Sequence, residues 1–508
     1  MKQSKTILYM IISAVFAGLS RYDLPFDFLI FFAFIPVFKT IQIAAIELKN
    51  RKIKDIIKFS LIHGSIYSIV FLTISVSWIS IVTLPGFIGI LLLYSVYYSL
   101  FFLILIWGIS RYKKIFASFI IFGFVGLEFA LSYGAFKFPW LNIGYSLSHS
   151  IYLMQVLEYG GIYLLSFLIL LINYYLYMFI YEKRQYRFIL IPVIIMAVWW
   201  SFGYYRYHNI KTETKDISVG IVQVSIPQEI KWEASFIDST IDLYQSKTLE
   251  LLEKEPVDLV IYPEAAIPVY LMNEGMYLSN MLRFANFANV NIFAGFPHYV
   301  RELKYKNQPE PYLFFNASNQ FQADMKYDIA YFKNQLVPFG ERTPFLDRFP
   351  ILWKLQLGQA NFEPGGSYGY YRVRDLVYSP LICYEVVFPN YVRKMMDKKV
   401  DFIVNITNDA WFKRSVGTYQ HKMMCVFRSI ESRKSLFRSA NTGYSIVVNP
   451  RGDIVKELGL YEKGAISSKV EIYNKPSFYH QFGFIFPYFI LFLFLIEFSL
   501  TIFKKNVK

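Results

Sequence analysis

The apolar residues of this chain are segregated along its length, and this segregation decides what the chain can fold into. Long apolar runs occupy residues 1–207 and 480–503, whereas residues 216–470 mix apolar and polar residues as a soluble domain does. The 508 residues are 55% hydrophobic and 19% aromatic overall. We therefore predict a membrane domain over residues 1–207, a folded domain inserted over 208–479, and a final span with its tail over 480–508.

Eight apolar runs are long enough to cross about 30 Å of hydrocarbon. The first run also has part of the pattern of a cleaved signal peptide, because Lys2 and Lys5 precede an apolar core that ends in the small residues Ala17 and Gly18. We predict that it is retained, and its cleavage would leave seven spans. The predicted spans cover residues 6–20, 25–43, 57–83, 86–110, 114–132, 153–181, 187–206 and 480–503.

Lysine and arginine residues cluster in every second connection between these spans, and by the positive-inside rule those connections are cytoplasmic. The seventh span then delivers the inserted domain to the periplasm or the cell exterior. The lysine and arginine residues in these connections account for much of the net charge of +15. The soluble part has no stripe of basic and aromatic residues, so the sequence does not predict nucleic-acid binding. The clustered residues are Lys2, Lys5, Lys49, Arg51, Lys52, Lys54, Arg111, Lys113, Lys114, Lys183, Arg184, Arg187, Lys504, Lys505 and Lys508.

The inserted region alternates strand-like and helical patterns, which predicts an α/β sandwich. Predicted helices cover Ser235–Glu253, Met276–Ala288, Pro389–Lys398 and Gln420–Arg438. Predicted strands cover Ile217–Val224, Leu259–Tyr262, Asn291–Ala294, Leu313–Ala317, Ser379–Cys383, Phe402–Thr407 and Ser445–Asn449.

Reactive side chains come at the ends of these apolar strands, where open α/β sheets place ligand-binding groups. Cys383 ends one strand and Glu264 follows another. A thiol attacks an acyl carbon only after losing its proton, and a carboxylate such as Glu264 can accept that proton. The oxyanion that forms needs a fixed cation such as Lys333, helped by the main-chain N–H of Tyr384. None of the six histidines follows a strand in this way, which favours a carboxylate base without excluding a Cys–His pair.

The sequence predicts neither a metal nor a nucleotide cofactor, because it has no glycine-rich phosphate loop and no Cys/His cluster at metal spacing. Its two cysteines are Cys383 and Cys425. Cys425 falls in a helical pattern where a buried small hydrophobe is the usual role, so we predict no disulfide between them.

Glu, Lys and Cys in that order resemble the catalytic set of the nitrilase-type carbon–nitrogen hydrolases. The motifs around them, together with one in the membrane part, resemble the apolipoprotein N-acyltransferase family over nearly the whole chain. These motifs are Lys231-Trp232, Tyr262–Pro268, Lys333–Glu341, Ile382–Glu385, Asn408–Phe412 and, between the fifth and sixth spans, Phe138–Ser146.

This resemblance implies an αββα sandwich of nitrilase type, with Glu264 as general base, Lys333 as the transition-state cation and Cys383 as the nucleophile that becomes a thioester. It also implies that Trp232, Glu341, Tyr384 and Glu385 support the site. Without the resemblance, Trp232 is equally compatible with a packing role and with a role in the site. Glu385 is equally compatible with a salt bridge and with a role in the site.

The function implied is transfer of an acyl chain from a membrane phospholipid to the N-terminal α-amine of diacylglyceryl apolipoproteins, without a cofactor. The resemblance places the protein, as a monomer, in the bacterial inner membrane with a periplasmic catalytic domain. Two alternatives stay open. A membrane-tethered amidase or nitrilase would use the same residues, and a transporter or receptor would not need Cys383.

Three further features carry weaker expectations. Glu128 matches an acidic position of the family, but Leu131 stands where the family has an arginine, so a charge pair there is in doubt. His421 opens a predicted helix near the site and could cap or orient it. The apolar stretch Phe345–Phe362, which includes Leu355 and Leu357, is expected either to contact lipid or an acyl chain, or to pack inside the domain.

Overall fold

The computed structural model describes residues 3–182, 184–305, 308, 310–354, 361–397 and 399–503. The chain divides into two compact units, one formed by Met1–Asn209 with Ser477–Lys508 and the other by Ile210–Pro476. Some residues named in the sequence predictions lie outside the described residues; they are Lys2, Lys183, Leu355, Leu357, Lys398, Lys504, Lys505 and Lys508.

The first unit is helical, which confirms a polytopic membrane domain. Its helices are α1 Gln3–Leu19, α2 Ile30–Ala33, α3 Ile35–Glu47, α4 Ile53–Val76, α5 Ile79–Val82, α6 Leu84–Arg111, α7 Phe116–Ala130, α8 Ile151–Met154, α9 Leu157–Tyr177, α10 Arg187–His208 and, after the inserted unit, α15 Ile485–Phe503.

Six helical segments of the described chain are long and apolar enough to span a membrane. Two of the eight predicted spans, 6–20 and 114–132, correspond instead to the shorter helices α1, with 17 residues, and α7, with 15 residues. The six segments are Asp27–Glu47, Ile53–Val76, Leu84–Arg111, Leu157–Glu182, Arg187–His208 and Tyr479–Phe503.

Glu128 shares an internal cavity with an arginine, although Leu131 occupies the position where the family has one. Arg21, in the turn after α1, is buried and faces the same internal cavity as Glu128. Its guanidinium donates to the carbonyl oxygen of Asn142 at 2.9 Å, and Glu128 accepts a hydrogen bond from the N–H of Ile143 at 2.5 Å. Arg21 therefore supplies a buried positive charge in the same cavity as Glu128, although each of the two side chains is hydrogen-bonded to a main-chain group.

The described residues of the second unit form two six-stranded sheets. One has the strand order β12-β1-β2-β3-β4-β5 and the other β11-β10-β9-β8-β7-β6. The strands are β1 Glu213–Gln223, β2 Leu259–Ile261, β3 Asn291–Arg301, β4 Tyr312–Phe321, β5 Tyr331–Phe332, β6 Tyr371–Val373, β7 Leu376–Ile382, β8 Phe402–Thr407, β9 Ser435–Ala440, β10 Ser445–Val448, β11 Ile454–Leu458 and β12 Gly464–Ile472.

Side chains that alternate along the strands build the layers of this unit. Val219 and Ile221 of β1 share one core with Val404 of β8 and Phe437 of β9, so the two sheets pack face to face. Val222, on the opposite side of β1, belongs to a second core with α11 Ile237–Leu252 and α12 Gly275–Phe287. The other described helices of the unit are α13 Pro389–Met395 and α14 Val416–Ser432. This is the predicted αββα sandwich.

The predicted helix Gln420–Arg438 is wrong at its carboxyl end. α14 stops at Ser432 because Arg433 adopts a left-handed conformation with φ of 54°, and β9 begins at Ser435. Arg433 is fully buried and donates to the carbonyl of Pro450 at 3.0 Å, so tertiary contacts hold this ending where a glycine is more usual. Strands β5, β6, β9, β11 and β12 were also not predicted.

Candidate active site

The predicted catalytic residues all lie within three residues of the end of a strand. Glu264 lies three residues after the end of β2, Lys333 follows β5 and Cys383 follows β7. Asn408 and Asp409 follow β8, which runs parallel to β7. Short strands that end in tight turns fix these positions in the main chain, so the side chains start from a rigid framework.

Lys333 lies at the centre of a buried cluster of polar side chains. Its ammonium group donates to Oε1 of Glu341 at 2.8 Å and to Oε1 of Glu264 at 3.1 Å. The side-chain amide of Asn316, on β4, donates to the same two oxygens at 3.2 Å and 2.7 Å. Asn316 was not identified from the sequence, where its only signal is a polar residue in an apolar strand.

The two carboxylates keep Lys333 charged. Burial by itself lowers the pKa of an amine, but Glu264 and Glu341 more than offset this, so the pKa of Lys333 lies well above its ordinary value. A permanent cation at this position suits stabilisation of an oxyanion and is unsuited to proton transfer.

Main-chain contacts also hold the carboxylate of Glu264. Its Oε2 accepts a hydrogen bond from the N–H of Asn408 at 2.9 Å. The buried amine of Lys231 donates to the Glu264 carbonyl at 3.1 Å, and burial lowers the pKa of Lys231 to about 8. Gly295 of β3 allows this close packing, since a Cβ atom there would come within 2.9 Å of the Glu264 Cα.

Cys383 occupies a sharp turn between β7 and the 3-10 turn Cys383–Val387. Its φ of 52° lies in the left-handed region, which is strained for a residue with a Cβ, and the side chain is half-buried. Burial and the carboxylate of Glu264 raise the pKa of the Cys383 thiol well above its ordinary value, although Lys333 opposes the shift. The thiol is therefore protonated at neutral pH and needs a base.

Glu385 ties the lysine segment to the cysteine turn. Its carboxylate accepts hydrogen bonds from the N–H of Ile382 at 2.7 Å, just before Cys383, and from the N–H of Asn334 at 2.6 Å, just after Lys333. The Tyr331 hydroxyl lies 2.8 and 2.7 Å from its two oxygens. Burial raises the pKa of Glu385 to about 7, and these hydrogen bonds oppose the shift. Its partners are main-chain groups and a tyrosine, with no salt bridge among the residues that the structure describes.

The two predicted aromatic residues differ in burial. Tyr384 is buried, and its ring meets Phe388 edge to face at a centroid distance of 4.9 Å. Trp232 is 45% exposed, so it is not a core packing residue.

A second buried cluster, comprising Asp409, His421 and Arg438, lies behind Cys383. Nδ1 of His421 is 2.9 Å from Oδ1 of Asp409, and Nη2 of Arg438 is 2.6 Å from Oδ2 of Asp409. Burial disfavours the charge of Asp409, but Arg438 and His421 outweigh it and hold the pKa of this carboxyl below its usual range. Sequence spacing did not reveal the cluster, because its members belong to three separate elements.

Cys383, Asp409 and His421 each offer one ligand atom, and these atoms lie within 4.8 Å of one another. Such donors can bind zinc. Here the guanidinium of Arg438 already supplies the positive charge opposite Asp409, so a hydrogen-bonded network explains the cluster better than a cation site.

An αββα sandwich with Glu, Lys and Cys at strand ends is the arrangement of a carbon–nitrogen hydrolase. The family model "Carbon-nitrogen hydrolase" matches residues 218–472, and that of the "Apolipoprotein N-acyltransferase N-terminal domain" matches residues 13–175. The apolipoprotein N-acyltransferase of Geobacter metallireducens is 31% identical over 72% of this chain and 70% of that protein. That of Rickettsia prowazekii is 34% identical over 72% of each. The chain belongs to the apolipoprotein N-acyltransferase family.

An amidase from Nesterenkonia sp. is among the solved structures that match part of this chain. The amidase is 17% identical to this chain, and the match covers 53% of this chain and 94% of the amidase chain, with a TM-score of 0.38.

Proposed function

We propose that this protein transfers an acyl chain from a membrane phospholipid to the N-terminal α-amine of the diacylglyceryl-cysteine of apolipoproteins. The observation that carries the proposal is the joint contact of Lys333 with Glu264 and Glu341, beside a strained Cys383. The same chain has, among its described residues, six helices long and apolar enough to span a membrane. The protein acts as a monomer in the bacterial inner membrane, with the catalytic domain over residues 208–479 in the periplasm.

In the first half-reaction the Cys383 sulfur attacks the ester carbonyl carbon of the phospholipid while Glu264 takes the thiol proton. The negative charge that develops on the carbonyl oxygen is stabilised by the ammonium of Lys333 and the main-chain N–H of Tyr384. When the C–O bond breaks, Glu264 returns the proton to the leaving alcohol. The products are a lysophospholipid and an S-acyl enzyme.

In the second half-reaction the free α-amine of the apolipoprotein attacks the thioester carbonyl. Glu264 accepts one amine proton, and the C–S bond breaks to leave an amide. The proton then returns to the Cys383 sulfur, which restores the free enzyme. Lys333 stabilises the tetrahedral oxyanion in this step as well, so both half-reactions use the same cation.

Both substrates are anchored in the bilayer, which explains why a catalytic domain of this type is joined to membrane spans. Confinement to the membrane surface raises the rate of encounter and orients the ester. In the segment Phe345–Phe362, Phe349 is 55% exposed and Ile351 is 71% exposed, so these side chains do not pack inside the domain. Their exposure supports contact with an acyl chain or with lipid.

The test is to incubate detergent-solubilised protein with a phospholipid and a diacylglyceryl peptide and to follow both products by mass spectrometry. We expect a lysophospholipid and a peptide heavier by one acyl chain. Cys383→Ala should form neither product, whereas the matched control Cys425→Ala should form both. Among the described residues, the Cys425 sulfur makes hydrogen-bond contacts with Asn405, Arg438 and its own helix, and not with Glu264, Lys333 or Cys383.

A membrane-tethered amidase would use the same residues but would release a free fatty acid or leave both lipids intact. A peptide whose mass never rises would therefore count against the transferase. Full transfer by Cys383→Ala would remove the assignment of the nucleophile.

A further inference from the structure

A buried histidine contacts the main chain of the nucleophile. Nε2 of His421 lies 3.3 Å from the carbonyl oxygen of Cys383. We propose that His421 is a positioning residue that aims the main-chain N–H of Tyr384 at the oxyanion by holding the carbonyl of Cys383. This inference rests on the proposed function, because it takes Cys383 as the nucleophile.

The link between the two groups is the peptide bond itself. The carbonyl of Cys383 and the N–H of Tyr384 belong to one rigid plane, and in a trans peptide they point in opposite directions. A hydrogen bond that fixes the carbonyl on one side therefore fixes the direction of the N–H on the other. Because Cys383 has a strained φ of 52°, this plane needs an external contact to hold it.

The contact requires a proton on Nε2, because a carbonyl oxygen can only accept. Nδ1 lies 2.9 Å from Oδ1 of Asp409 and 3.1 Å from Nη2 of Arg438. A charged ring donates from Nδ1 to Asp409 and from Nε2 to Cys383. A neutral ring with its proton on Nε2 accepts at Nδ1 from Arg438 and keeps the bond to Cys383, whereas a neutral ring with its proton on Nδ1 donates to Asp409 and loses that bond. We assign the proton to Nε2.

The imidazole is held rigidly by its buried neighbours. Asp409 also accepts hydrogen bonds from Arg438 at 2.6 Å and from the hydroxyl of Thr407 at 2.9 Å. A second nitrogen of Arg438 donates to Asn405 at 2.5 Å. The side chains of Asp409, His421 and Arg438 are almost completely buried. A ring fixed in this way can orient a peptide plane without reorganisation during the reaction.

The same short segment also holds the general base. The N–H of Asn408 donates to Glu264 at 2.9 Å, and the side chain of the next residue, Asp409, anchors His421. Two adjacent residues, 408 and 409, thereby fix the positions of both the base and the oxyanion donor.

The test compares two reactions of Cys383 in a Cys425→Ala parent, which retains a single thiol. The first is single-turnover formation of the thioester from a phospholipid, which passes through an oxyanion. The second is alkylation by iodoacetamide, a displacement at carbon that forms no oxyanion. His421→Leu should slow thioester formation by about 10–100-fold, less than the ~10²–10³ typical of removing an oxyanion donor outright. Its alkylation rate should stay within about threefold of the parent.

His421→Gln places an amide N–H close to the position of Nε2 and should recover most of the rate, whereas the shorter His421→Asn should not. If His421→Leu fails to accumulate in the membrane, the comparison of His421→Gln with His421→Asn replaces it as the test. Thioester formation at the parent rate in His421→Leu or His421→Asn would overturn the inference. An equal loss of alkylation and thioester formation would also overturn the inference. Such a result would mean that His421 acts as a base or that the turn at Cys383 has collapsed. If the parent itself forms no thioester, the proposed function fails instead.

Discussion

Lys333 donates to Glu341 at 2.8 Å, a shorter contact than its 3.1 Å hydrogen bond to Glu264. The two carboxylates therefore have different consequences for the reaction. Glu341 also accepts from the N–H of Val337 at 2.8 Å, so it is tied to its own loop and holds the lysine there. In the proposed reaction, Glu264 takes a proton and loses its charge, and the contact with Glu341 is expected to keep Lys333 in position for the oxyanion.

Lys333→Met should be slow in both half-reactions. The substitution keeps the length of the side chain but removes the charge, and loss of an oxyanion stabiliser typically costs on the order of 10²–10³ in rate. A single-turnover assay that follows thioester formation and its discharge to a diacylglyceryl peptide separately would measure both steps. Wild-type rates in each step would make Lys333 a structural residue.

Glu264→Gln should stop the reaction at its first step and leave unacylated enzyme, because the amide cannot accept the thiol proton. The matched variant Glu341→Gln leaves the base in place and should still accumulate S-acyl enzyme, only more slowly. Intact-protein mass spectrometry after addition of phospholipid distinguishes the two. A normal yield of S-acyl enzyme in Glu264→Gln would assign the base elsewhere.

The alkylation of Cys383 in the absence of substrate should keep rising with pH beyond pH 9. Burial and Glu264 raise the pKa of this thiol above its ordinary value, so the reactive thiolate continues to increase in that range. The measurement is the rate of iodoacetamide labelling against pH in the Cys425→Ala background. A plateau reached below pH 7 would show a preformed thiolate and would contradict a mechanism that needs a base.

Glu385→Gln should lower the thermal stability of the protein and flatten its dependence on pH. Burial raises the pKa of Glu385 from 4.5 to about 7 on folding, so its contribution to stability is fully present below pH 4.5 and is lost as the pH rises to about 7. The slope in that window is about 1.4 kcal/mol per pH unit. The glutamine amide also cannot accept from the N–H groups of both Ile382 and Asn334, and an unsatisfied buried donor costs about 1–3 kcal/mol.

Thermal unfolding of the solubilised protein between pH 4.5 and 7.5 tests this prediction. The midpoint of the wild-type protein should fall across the range relative to that of Glu385→Gln. Parallel curves for the two proteins would mean that Glu385 does not titrate there.

Local patterns were sufficient to predict much of this protein. The membrane helices and most central strands could be predicted from runs of apolar residues. Each such element is built from residues that are adjacent in sequence, so its buried side chains form one continuous run. Glu264 and Cys383 stand out for the same reason, since each lies at the end of such a run, whereas Lys333 was identified from its motif and from the need for a cation. The left-handed ending at Arg433 could not be predicted, because the helical pattern continues past it and the ending depends on tertiary contacts such as the hydrogen bond to Pro450.

By itself, therefore, the sequence determined the membrane class of the protein, its sandwich fold and its three candidate catalytic residues. Only the tertiary structure decided their partners. Asn316 lies 52 residues from Glu264, and His421 lies 38 residues from Cys383. Hydrogen bonds across such separations depend on strand register and on how the sheets pack, to within a fraction of an ångström. No local run of residues carries that information, so the network around the site emerges only when the strands are assembled.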